Sequence, residues 1–72
     1  MPLVEVTLAE GRTPEQIRAL LHALTAAVHE SIGAPVPTIR VVAREVPRTH
    51  WSAGGVTIAE RDQATTDEQV RS

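Results

Sequence analysis

Four residues in this chain have types and positions that could do chemistry together: Pro2, Arg12, Arg40 and Trp51. If Met1 is removed, Pro2 presents a secondary amine that can serve as a general base or a nucleophile. Its ordinary reading is a permissive strand start, where a missing N–H costs no ladder bond. Arg12 falls between an expected strand end and an expected helix start, both places where anions are held, or it is a loop arginine in solvent. Arg40 interrupts a β-branched run, as an edge-strand guard or as a site residue. Arg44 follows on the same face as a surface or interface charge, and Arg48 reads as solvated. Trp51 is the sole aromatic. It lies in a Gly-rich turn, which suits a pocket wall or an interface. His50 beside it would be polar rim. His22 and His29 share the helix side opposite the apolar stripe, and with no third ligand evident no metal site is expected.

The elements that must position these residues follow from periodicity. Residues 2–8 alternate, with Pro2, Val4, Val6 and Leu8 on one face and Leu3, Glu5 and Thr7 on the other, the pattern of a half-buried strand. Thr13 suits an N-cap, Pro14 the first helical position, and Gln16 the third, closing a capping box. Ile17, Leu20, Leu21, Leu24, Val28 and Ile32 form one apolar stripe. Gly33 and Pro35 stop the helix, which is predicted over residues 14–32. Residues 38–46 read as a second strand, with Ile39, Val41 and Ala43 facing one way and Arg40, Val42, Arg44 and Val46 the other. Strand, long helix and strand predict a βαβ unit with parallel strands and a right-handed crossover. Residues 48–55 are turn-rich, residues 56–59 read as a short third strand within a C-terminal hairpin, and the polar remainder reads as a mobile tail that could hold a helical turn at 66–71. The expected division is a domain at 1–60 and a tail at 61–72.

Bulk composition narrows the class. Seventy-two residues make one small domain, which alone buries only about 60% of its unfolded surface. There is no cysteine to staple it, so oligomerisation is the expected remedy. Two strands are too few for an independent sheet, and two copies pairing edge to edge would make four. The net charge of −2, with all seven basic residues Arg and none Lys, argues against a nucleic-acid partner. No apolar run reaches membrane-span length and no signal peptide is evident, so a cytoplasmic protein with no membrane partner is expected. Phosphate loops, dinucleotide fingerprints and Ser/His/Asp motifs are missing from the sequence.

Taken in order, Met1-Pro2 opening a strand, Glu10-Gly11-Arg12 before a capped helix, Pro35 before the second strand, Arg40 within it, and His50-Trp51 leading into Gly54-Gly55 resemble the small tautomerase family typified by 4-oxalocrotonate tautomerase. The spacing fits without gaps from Pro2 to Gly55. The resemblance implies an α/β (α+β) tautomerase/MIF-like fold whose sheet is completed by dimerisation. It implies homo-oligomers, commonly hexamers built as trimers of dimers, with sites that pool residues of adjacent subunits. It implies a catalytic role for Pro2, carboxylate and carbonyl binding by Arg12 and Arg40, and an aromatic wall at Trp51. The implied reaction is keto–enol isomerisation of a small unsaturated carboxylic acid without a cofactor, as in aromatic compound catabolism. Ala9 stands where the family often has a bulkier apolar residue, and the chain beyond Gly55 departs from the family's usual ending.

Elementary chemistry is consistent with such roles. A base working near neutral pH must be largely unprotonated there. An α-amino group starts near pKa 8, and burial beside arginine cations disfavours its charged form. The same guanidiniums would bind a carboxylate bidentately and stabilise charge on a dienolate oxygen. Two other readings stay open: a hydratase or dehalogenase of haloacrylate-type acids, with Glu5 or Glu45 activating water, and an oligomeric binding module made inactive by retention of Met1.

Overall fold

Alternation in the first residues becomes β1, Leu3–Ala9, whose inward members Val4, Val6 and Leu8 are half-buried while Leu3, Glu5 and Thr7 are exposed. The structure is a computed structural model that describes residues 1–63. The helix α1 spans Pro14–Ile32, as the stripe and its punctuation predict. Its N-terminus carries the full capping box: the Gln16 N–H donates to Thr13 Oγ1 at 3.2 Å, and the Thr13 N–H donates to Gln16 Oε1 at 2.9 Å. Its last turn closes on Gly33, which takes the left-handed φ of 73° that a Cβ disfavours. His29 Nδ1 also bonds the Ala34 carbonyl there, at 2.7 Å.

The second strand starts later than the sequence pattern predicts. Val36–Thr38 wind a 3₁₀ turn in which the Thr38 N–H and hydroxyl both donate to the Pro35 carbonyl, at 2.9 and 2.7 Å. This local satisfaction of Thr38 competes with the ladder, so β2 covers Arg40–Val46. β1 and β2 pair in parallel, from Leu3 opposite Arg40 to Ala9 opposite Val46. A short hairpin comes next, β3 (Ser52–Ala53) with β4 (Val56–Thr57), antiparallel, turning through Gly54 and Gly55.

The expected strand at 56–59 is correct only for its first half. Residues 58–63 are helical, forming α2 through the last described residue. Thr57 and Glu60 cause the switch. Thr57 Oγ1 accepts the Glu60 N–H at 3.1 Å, and Glu60 Oε1 accepts the Thr57 N–H and hydroxyl at 3.1 and 2.9 Å. This is a second capping box, and it gives regular structure to residues 61–63, where the tail was expected to begin. The turn expected at 66–71 lies outside the described residues.

One layer of helix on one face of a two-stranded sheet makes a thin core. Ile39, at 8% exposure, is the one buried residue among those described. The stripe residues Ile17 to Val28 are only half-buried, and Ile32 is exposed. The radius of gyration is 16.8 Å, against about 11 Å for a close-packed chain of this length. Leu3 and Val42, adjacent on the outer sheet face, are exposed as well.

Candidate active site

Pro2 sits at the root of β1, half-buried, and is fixed through its carbonyl, which accepts the Arg40 N–H at 3.0 Å. The ladder therefore anchors Pro2 without using its nitrogen. Met1 beyond it is 88% exposed. Pro2 is in phase with Val4 and Val6, toward the helix, whereas Arg40 pairs with Leu3 on the exposed face. Backbones meet here and side chains diverge, because successive strand residues point to opposite faces.

The two arginines singled out from the sequence are held by one device. Arg12 Nη1 donates to the Ala9 carbonyl at 2.9 Å, and Arg40 Nη1 donates to the Pro37 carbonyl at 3.1 Å, each three residues back along the chain. Both acceptors are neutral and both side chains are exposed. Each guanidinium is thus oriented while its charge stays uncompensated by a carboxylate among the described residues. That is the state in which a guanidinium can receive a planar anion on its remaining N–H groups. Beside Arg12 a groove of about 390 Å³ is lined by Leu8, Arg12, Gln16, Ile17 and Leu20.

One chain does not bring these groups together. Pro2 and Ala9 are separated by the length of β1, roughly 23 Å at about 3.3 Å per residue. Arg12 is tethered at the Ala9 end. Trp51, 36% exposed, comes three residues after Arg48, whose guanidinium reaches the Glu10 carbonyl, so it belongs to the Ala9 end too. Pro2 and the Arg40 backbone mark one end of the sheet; Arg12 and Trp51 mark the other. Glu5, weighed as a water-activating carboxylate, lies on the exposed face opposite Pro2's phase.

Arg48, which the sequence reads as solvated, is 41% exposed but also engaged by long-range partners. It pairs with Asp62 at 2.8 Å and bonds Glu10. No local signal could have shown this, since its partners lie 14 and 38 residues away. The Thr57–Glu60 box did have a signal, the T-x-x-E spacing. Its two hydrogen bonds from Thr57, backbone first and then side chain, hold the Glu60 carboxyl below its ordinary 4.5.

Comparison with known proteins agrees with this architecture. A family model described as tautomerase enzyme matches residues 2–61. The 2-hydroxymuconate tautomerase of Comamonas testosteroni is 37% identical over 60 residues, 83% of this chain and 95% of that protein. The crystal structure of TomN, a 4-oxalocrotonate tautomerase homologue in the tomaymycin biosynthetic pathway, superposes with a TM-score of 0.84 at 50% identity, covering 86% of this chain and 95% of that one. A heterohexamer 4-oxalocrotonate tautomerase from Chloroflexus aurantiacus J-10-fl superposes with a TM-score of 0.80 at 42% identity, covering 83% and 97%.

Proposed function

The chain belongs to the tautomerase family and is an isomerase; from that premise we propose that Pro2, freed by loss of Met1, is its general base and acid. The observation that carries this reading is position: Pro2 stands half-buried at the root of β1 with its carbonyl held by the Arg40 N–H, so loss of Met1 would leave a secondary amine at a fixed place. The freed amine takes a proton α to a carbonyl, or from the corresponding enol, and returns it elsewhere on the conjugated chain. This is a 1,3- or 1,5-keto–enol isomerisation in which atoms and electrons balance within the substrate. Arg12 and Arg40 bind the carboxylate and the oxygen on which charge develops, where fixed donors act most strongly. Trp51 walls the pocket. The substrate class is a small 2-hydroxy or 2-oxo unsaturated carboxylic acid, for which 2-hydroxymuconate is the first compound to try.

The complete site is built from more than one copy. The separation of Pro2 from Arg12 along β1 supports this, as does a chain with a single buried residue among those described. Pairing of copies would extend the two-stranded sheet and cover Leu3 and Val42, and a hexamer is the assembly proposed.

The absence of lysine makes the test selective, because an amine-acylating reagent has only the chain's amino terminus to attack. The intact mass is expected to lack Met1, and one acyl group is expected to abolish turnover while the oligomer survives. Undiminished turnover after stoichiometric acylation removes Pro2 from the mechanism.

A further inference from the structure

Two side chains outside the proposed substrate contacts converge on the loop that carries Arg12. Arg48 Nε and Nη2 each lie 2.8 Å from Asp62 Oδ2, and Arg48 Nη1 donates to the Glu10 carbonyl at 3.3 Å. All three guanidinium nitrogens are engaged, so Arg48 is a clamp and not a ligand-binding arm. Glu10 is held from its other side as well, its N–H donating to the Val46 carbonyl at 2.9 Å. Gly11 then turns the chain with φ 133°, and a Cβ there would lie 4.0 Å from Arg48 Nη1. The loop thus passes close beneath the guanidinium, and Arg12 is the next residue.

The pair is half-exposed, at 41% for Arg48 and 55% for Asp62, so it contributes at most about 1 kcal/mol to stability. Its consequence is geometric. A planar fork bound on both edges fixes direction as well as distance. The Glu10 peptide it fixes is the base from which Arg12 extends. Asp62 lies in α2, so the same clamp ties that helix to the Arg12 loop.

We propose that Arg48, held by Asp62, is a positioning residue for Arg12, setting the angle at which Arg12 meets a substrate carboxylate. The inference rests on the proposed role of Arg12. Arg48→Ala, in assembled protein lacking Met1, is expected to raise KM for 2-hydroxymuconate about tenfold with kcat within about twofold, the mark of lost binding shared by ground and transition states. In an Arg12→Ala background the same substitution is expected to change KM no further, because contacts acting through one another are not additive. Equal increments in both backgrounds overturn the proposal. Arg48→Lys is expected not to restore KM, since lysine lacks the fork. Asp62→Asn keeps an acceptor for Arg48 and should show a smaller rise, which serves if Arg48→Ala does not assemble. Amide hydrogen exchange at Glu10 gives a readout free of turnover. It should accelerate about tenfold or more in Arg48→Ala, as a locally opened loop does. Unchanged exchange overturns the clamp. A wild-type protein without turnover defeats the functional reading alone, and exchange then decides the clamp by itself.

Discussion

The two ends of the β1–β2 sheet are built by different means. At the Pro2 end, position comes from the ladder: one backbone hydrogen bond to Pro2 and a local carbonyl for Arg40. At the Ala9 end, the loop bearing Arg12 depends on side chains recruited from far along the chain, Arg48 and Asp62. The first end is fixed by the formation of the sheet and the 3₁₀ turn that leads into it. The second is fixed only once the hairpin and α2 have packed back against it. Both arginines keep a local carbonyl, but only the loop that carries Arg12 is also held by a long-range clamp, so the more elaborate support sits under Arg12.

The sharpest attempt to break this division mixes its two halves. Acylation at Pro2 should cost at least about a hundredfold in kcat. Arg12→Ala should cost about ten- to a hundredfold in kcat/KM, the loss of charged hydrogen bonds of roughly 1.5–3 kcal/mol. Each protein alone would then keep at most about a tenth of the wild-type activity. Unfolded together in equal amounts and reassembled, they should recover activity toward about a quarter of the wild-type value, because in a heterologous interface that fraction of sites pairs an intact Pro2 with an intact Arg12. Mixed oligomers seen by native mass spectrometry without any recovery would place both residues in one chain's site.

A smaller effect tests the local support of the Ala9 end. Thr13→Ala removes the acceptor for the Gln16 N–H and should lower stability by about 1 kcal/mol. Denaturant unfolding of the assembled protein at a fixed concentration measures it, and no change would mean that tertiary packing alone holds the start of α1.

The two capping boxes offer the finest comparison. Gln16 does not titrate, and Glu60 does. The Glu60 pKa is lowered in the folded chain, so its contribution is fully present above the ordinary 4.5 and is lost as pH falls through the lowered value. Wild type should therefore exceed Glu60→Gln in stability at neutral pH, and the two should converge under acid. A gap that persists on acidification would show that Glu60 acts through something other than its charge.

Much of this molecule is legible from short-range pattern. The alternation of residues 2–8 and the boundaries of α1 come from periodicity and caps, which act within a few residues, and the parallel pairing of the strands follows from their order around one long helix. Thr38 and residues 58–59 depart from the strand pattern because a polar side chain there satisfies nearby backbone groups in a turn or cap, which outweighs β propensity. The Thr57-to-Glu60 spacing is present in the sequence, but the polar run at residues 60–69 masks it as a cap. Arg48 is unreadable for a different reason, since its partners are set by how the hairpin and α2 return to the sheet.

Composition and local order decided that Pro2 stands at a strand's root, that Arg12 opens a helix and that Arg40 lies in the second strand. Tertiary structure decided that these residues occupy opposite ends or opposite faces of one chain. A strand of seven residues is rigid and cannot fold back on itself, so the distance between Pro2 and Arg12 is imposed by the very element that positions them both.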